Sequence, residues 1–166
     1  MTFEIERKFL VVGDAWHKLV TKRSAIRQAY LASDSDLSFR IRIKDDSSAQ
    51  LTIKSRGAEL RRSEFEYPIP AQDAEALIAK RRGSVIAKVR HEIPWNGLKW
   101  EVDVFSGDNA GLVIAEIELQ HEQQVFEMPT WVGVEVTGQR GYYNSALTLR
   151  PYCMWGDRHD AAGRVA

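Results

Sequence analysis

Leu37-Ser38-Phe39-Arg40-Ile41-Arg42-Ile43-Lys44 is the stretch whose reading decides the fold. Phe39, Ile41 and Ile43 alternate with Arg40, Arg42 and Lys44, the period of two that a β-strand imposes on its side chains. One face is apolar and the other carries three cations after Ser38. The flanking segments repeat the pattern. Downstream, Asp45-Asp46-Ser47-Ser48 is a turn, and Gln50-Leu51-Thr52-Ile53-Lys54 again sets Thr52 and Lys54 against an apolar face. Upstream, residues 24–32 read as a strand ending in Arg27-Gln28-Ala29-Tyr30-Leu31. At the start of the chain, Glu4, Glu6 and Lys8 share one face of a strand, with Phe3, Ile5 and Phe9 on the other.

The same alternation continues toward the C-terminus. Arg62, Glu64 and Glu66 alternate with Ser63, Phe65 and Tyr67 until Pro68 and Pro70 end the strand. Ala71 to Lys80 has Ala74, Leu77 and Ile78 at helical spacing. From Val85 the strand period returns with Lys88 and Arg90 on the polar side, and Asn96-Gly97 predicts a two-residue hairpin turn. The next two strands carry Glu101 with Asp103 and Glu116 with Glu118. Asp14 is placed to cap a short helix, Gly133 to Val136 resumes a regular pattern, and a last helix is expected near Tyr142–Leu149. Beyond Pro151 no pattern is visible, and a frayed end is expected.

About eight strands in hairpin order predict a mainly β (α+β) fold, an antiparallel sheet closed or nearly closed into a barrel with a few flanking helices. The 166 residues suit one domain, here 1–150, with a tail over 151–166. Lys and Arg total 23, as do Asp and Glu, which argues against a general nucleic-acid binder. A single cysteine, Cys153, excludes an intramolecular disulfide and fits a reducing compartment. No apolar run reaches a membrane span and no secretory signal opens the chain, so a cytoplasmic protein is expected. His17, His91, His121 and His159 show no ligand spacing and read as surface residues.

The charged faces admit two arrangements. In one, the apolar faces fill the barrel and the charges meet water. In the other, a wide barrel encloses the charges and its apolar outside is covered by helices, loops or a partner. Same-face carboxylate pairs on four strands, beside the basic pairs Arg40-Arg42 and Lys88-Arg90, favour the second, because like charges two apart repel and are hard to explain as surface decoration. Enclosed charges must be matched by each other, by metal ions or by a charged ligand. Carboxylates suit Mg²⁺ or Mn²⁺, and Arg and Lys suit phosphate oxygens, so a site holding both is a metal–polyphosphate site.

With these residues laid out, the chain resembles the triphosphate tunnel metalloenzymes, the CYTH superfamily. The hallmark Glu-x-Glu-x-Lys is matched by Glu4, Glu6 and Lys8. Arg40-x-Arg42, Lys54, Glu64-x-Glu66, Lys88-x-Arg90, Glu101-x-Asp103 and Glu116-x-Glu118 follow in order. Ala29 stands where the family stretch has Gly, a swap expected to be tolerated. The resemblance, most like short bacterial inorganic triphosphatases, implies an eight-stranded barrel and metal-dependent hydrolysis of inorganic triphosphate, with Mg²⁺ or Mn²⁺ as two ions. It implies Glu4, Glu6, Glu116 and Glu118 as metal ligands, and Lys8, Arg40, Arg42, Lys54, Lys88 and Arg90 along the phosphates. Glu4, Glu6, Lys8 and Lys88 are the catalytic candidates. Glu64, Glu66, Glu101, Asp103 and Tyr30 support them from behind. The shared motifs leave open a class IV adenylyl cyclase, a thiamine or nucleoside triphosphatase, a polyphosphate- or nucleotide-binding module without turnover, and a homodimer.

Overall fold

The computed structural model describes residues 5–33, 37–55 and 64–156. Among them, nine strands form one antiparallel sheet. They are β1 (Ile5–Val11), β2 (Lys22–Ser33), β3 (Leu37–Lys44), β4 (Ser48–Ser55), β5 (Glu64–Ile69), β6 (Arg82–Trp95), β7 (Leu98–Ser106), β8 (Val113–Leu119) and β9 (Val132–Glu135). Their spatial order is β5-β4-β3-β2-β6-β7-β8-β1-β9. The Asn96-Gly97 turn joins β6 to β7 with both residues at positive φ, 47° and 78°, as the tightest hairpins require.

The expected eight-stranded closed barrel is therefore corrected to an open sheet of nine strands with edges at β5 and β9. Its end strands explain why. β5 spans six residues and includes Pro68, which has no N–H to give a further neighbour. β9 is only four residues long and pairs with β1 across a register shift. Neither edge offers a long, regular ladder to the other.

The sheet is apolar outside and polar inside. Side chains of odd number in β1 and β3 point outward into two covered clusters. Phe9, Val11, Trp16, Trp100, Ile117 and Trp131 form one, beneath the 3-10 turn Ala15–Leu19 and the segment reaching Trp131. Ala29, Ile41, Ile43 and Ala49 form the other, closed by Ala74 and Ile78 of α1 (Ala71–Ile78). Ala29 is fully buried there, so the methyl group in place of the family's Gly fills the core rather than obstructing a turn. Asp14 does not cap its turn through its side chain; its carbonyl oxygen accepts from the His17 N–H at 3.0 Å. His91 is not a surface residue but is buried, with its ring edge-on to Trp16.

One end of the inner face is shut. Leu10, Ile86, Phe105 and Ile114 continue the inner face beyond its charged part and pack against Val136, Tyr142, Leu147 and Tyr152. Leu147 belongs to α2 (Asn144–Leu149), which lies against β6 so closely that a Cβ on Gly83 would collide with the Thr148 carbonyl oxygen. Gly83 also adopts φ +72°, so only glycine suits this contact. The expected fraying after Pro151 does not begin there: Tyr152 is buried, and its N–H donates to the buried Asn109 Oδ1 at 2.8 Å.

Candidate active site

The inner face takes its residues from strand register. β1 opposes β8 with Lys8 across from Glu116 and Glu6 across from Glu118. β6 opposes β7 with Arg90 across from Asp103, and β7 opposes β8 with Glu101 across from Glu116. On the other half, Arg40 faces Tyr30 in β2 and Thr52 in β4, and Thr52 faces Glu66 in β5. In a flat sheet Tyr30 and Lys8, four strands apart, would lie about 19 Å from each other. Burial raises the pKa of the Tyr30 hydroxyl against the charges of Arg40, Arg42 and Lys8, in keeping with a sheet curled so that its charged face forms a trough.

Two ion networks line the trough. In the first, the Lys8 ammonium donates to Glu6 at 2.8 Å and to Glu116. Arg90 donates to Glu116 at 2.7 Å, to both oxygens of Asp103 at 2.8 and 2.7 Å, and to Glu101. Lys88 donates to Asp103; both side chains are 0 % exposed, which makes this the most deeply buried pair of the site. In the second network Arg40 donates to Thr52 at 3.1 Å and lies 3.6 Å from both Glu64 and Glu66. Thr52 donates to Glu66 at 3.2 Å, and Lys54 pairs with Glu64 at 2.9 Å.

Burial and neighbours set the charges. Burial and the Glu116 carboxylate push the Glu6 carboxyl up to about 7, against the pull of Lys8. Burial works against ionised Glu116 too, but Lys8, Lys88 and Arg90 outweigh it and hold that carboxyl well below the usual range. Burial alone would lower Lys8; Glu116 and Glu6 reverse this and raise it. Arg42 behaves differently. Burial, then the guanidinium groups of Arg40 and Arg90, push it down to about 10. Its Nε is buried without a hydrogen-bond partner among the described residues, whereas Arg90 is saturated by carboxylates.

The trough thus brings together Glu6, Lys8, Lys88, Arg90, Glu101, Asp103 and Glu116, and beside them Arg40, Lys54, Glu64 and Glu66, with Tyr30 and Arg42 between. Glu118 sits opposite Glu6 in register but is exposed. Glu4 lies outside the described residues, as does Arg62. Thr52, fully buried between Arg40 and Glu66, has a structural part in the site that its neutral side chain did not announce. Its place on the polar side of an alternating strand was the only signal.

Glu6 and Glu116 present hard oxygen donors to one point, now bridged by the Lys8 ammonium. Mg²⁺ is commonly held by one or two carboxylates completed by substrate phosphates, so this donor pair fits such an ion by chemistry. Among the described residues no group of three His, Cys, Asp or Glu side chains is placed to hold a metal by itself. Substrate oxygens would have to supply part of the shell.

The chain is similar to known proteins over most of its length. An inorganic triphosphatase of Acetivibrio thermocellus is 45 % identical over 150 residues, covering 90 % of this chain and 95 % of that one. An inorganic triphosphatase of Nitrosomonas europaea is 36 % identical over 151 residues, covering 88 % and 97 %. A solved inorganic triphosphatase structure superposes with a TM-score of 0.67 at 33 % identity, covering 90 % of this chain and 96 % of the other. The CYTH domain matches residues 2–151, and the chain belongs to the CYTH domain family.

Proposed function

We propose that the protein hydrolyses inorganic triphosphate to pyrophosphate and phosphate in this trough, with a divalent metal ion. The observation that carries the reading is Arg42. A guanidinium half-buried beside two others, with no carboxylate bound to it among the described residues, is an anion site. The inorganic triphosphatases of 45 % and 36 % identity support triphosphate as that anion.

In this reading Lys8, Arg40, Arg42, Lys54 and Arg90 bind the phosphate oxygens. Lys88 is bound to Asp103 and 0 % exposed, so it contributes charge from beneath the floor. Glu64, Glu66, Glu101 and Asp103 hold these cations in place, and the Tyr30 hydroxyl acts beside Arg40. Glu4, Glu6, Glu116 and Glu118 would hold Mg²⁺ or Mn²⁺, two ions in all, and a metal held there would supply positive charge to offset that of the phosphates. Glu6 keeps 37 % of its side chain accessible and is the carboxylate that orients the attacking water. Water oxygen bonds to a terminal phosphorus as the bridging P–O bond breaks; pyrophosphate leaves, one water proton stays on the phosphate product and the other passes to solvent. The apolar closed end keeps bulk water out on that side.

Phosphate release from inorganic triphosphate, ATP and thiamine triphosphate, each with Mg²⁺, Mn²⁺ or chelator, tests this. The expected result is metal-dependent release with inorganic triphosphate preferred. Release from none of the three would overturn it. Cyclic AMP and pyrophosphate made from ATP would establish the cyclase instead.

A further inference from the structure

Gln28 lies on the inner face of β2, opposite Arg42 in β3 and Ile86 in β6. It is 0 % exposed, and both its Nε2 and its Oε1 are buried with no hydrogen-bond partner among the described residues. A buried primary amide with neither donor nor acceptor satisfied is rare, because such a group forfeits its hydration without compensation. A purely structural glutamine would show partners, and a packing position would be filled as well by an apolar side chain. The orphaned atoms are not isolated. Arg42 Nε, directly across in register, is also buried and unpaired, and so is Arg40 Nε two residues along the same strand. Three unsatisfied N–H groups therefore cluster on adjacent inward positions of β2 and β3.

We propose that Gln28 is a substrate-positioning residue of the triphosphate site. Its Nε2 donates to a non-bridging oxygen of the phosphoryl group held by Arg42, while its Oε1 accepts from Arg42 Nε and fixes the plane of the guanidinium. This rests on the triphosphate reading given above. The Arg42 side chain is long and flexible, and as it turns to the phosphate it uncovers the amide beneath. Being neutral, Gln28 adds direction rather than charge: it ties the fork of Arg42 to one orientation on the phosphoryl group.

The test is steady-state hydrolysis of inorganic triphosphate with Mg²⁺ by the full chain carrying Gln28→Met, with the melting temperature measured alongside. Methionine keeps the length and volume and removes both hydrogen-bonding atoms. The contact is made to bound and reacting phosphate alike, so KM should rise about tenfold, the worth of one hydrogen bond to a charged group, with kcat within about twofold. The melting temperature should be unchanged or higher. Gln28→Glu, which keeps the acceptor but sets a carboxylate against phosphate, should raise KM further. A lower melting temperature with unchanged KM would mark Gln28 as merely structural and overturn the proposal. So would wild-type kinetics in Gln28→Glu, which keeps the test decisive if the methionine variant fails to fold. A wild-type protein that neither binds nor hydrolyses triphosphate overturns the underlying reading instead, whatever the variants do.

Discussion

Glu6→Gln is expected to reduce triphosphate hydrolysis by about 100-fold or more in kcat, the scale seen when one preorganised charge-stabilising group is removed from an active site. The substitution keeps volume and removes the charge that draws both the cation and the attacking water. Binding of triphosphate should survive in part, because Arg40, Arg42 and Lys54 do not depend on Glu6. Fold stability should not suffer. The Glu6 carboxyl sits at about 7 in the folded protein against 4.5 for the ordinary group, so the folded state holds its proton more tightly than the unfolded chain. Ionisation of Glu6 therefore weakens folding progressively as pH rises from 4.5 to about 7. In chelator, Glu6→Gln should lose less melting temperature than the wild type between pH 5 and about 8. Retained activity in the variant would contradict the role given to Glu6.

The second large effect is on stability. Asp103 is 0 % exposed and bound to both Lys88 and Arg90. Asp103→Ala leaves Lys88 buried without its carboxylate and strips Arg90 of a two-point contact. Breaking a buried pair from one side costs about 3–5 kcal/mol, or roughly 6–20 °C in melting temperature for a chain of this size. Lys88→Met combined with Asp103→Leu should recover part of that loss, since no charge is then stranded. Thermal unfolding followed by circular dichroism measures both. A loss below about 2 °C for Asp103→Ala would show that the pair does not hold β6 to β7.

Much of the sheet was legible because one face of each strand is so consistently charged. Arg40 and Arg42 between Phe39, Ile41 and Ile43 assign their faces without any tertiary knowledge, and the inverted arrangement, apolar outside and charged inside, followed from repeated like-charge pairs. What remained illegible depends on contacts between distant parts of the chain. Whether β5 meets β9 depends on both edge strands: Pro68 already marks the end of β5 in the sequence, but the shortness of β9 and its register shift against β1 show only in the fold. The pairing of Asp103 with both Lys88 and Arg90 comes from the β6–β7 register, which the hairpin turn sets but the composition does not. The helix expected near Tyr142–Leu149 does form, over Asn144–Leu149, but the closing of the inner face by Tyr142, Leu147 and Tyr152 rests on packing against Leu10, Ile86 and Phe105 that no local period announces. His91 was misread because a polar residue on an outward face is buried only if something covers it, and Trp16 does. Thr52 and Gln28 were hidden for a simpler reason: neutral side chains carry no charge pattern.

Triphosphate is expected to lie in the trough between β3, β6 and β1. A crystal structure of the Glu6→Gln variant grown with inorganic triphosphate and Mg²⁺ tests it most directly. The expected density is a linear anion on the inner face, its oxygens contacting Arg40, Arg42 and Arg90, with Gln28 beneath. Triphosphate bound instead at the outer cleft beside Arg7, Phe126 and Glu135, with the trough still closed by its own ion pairs, would contradict it.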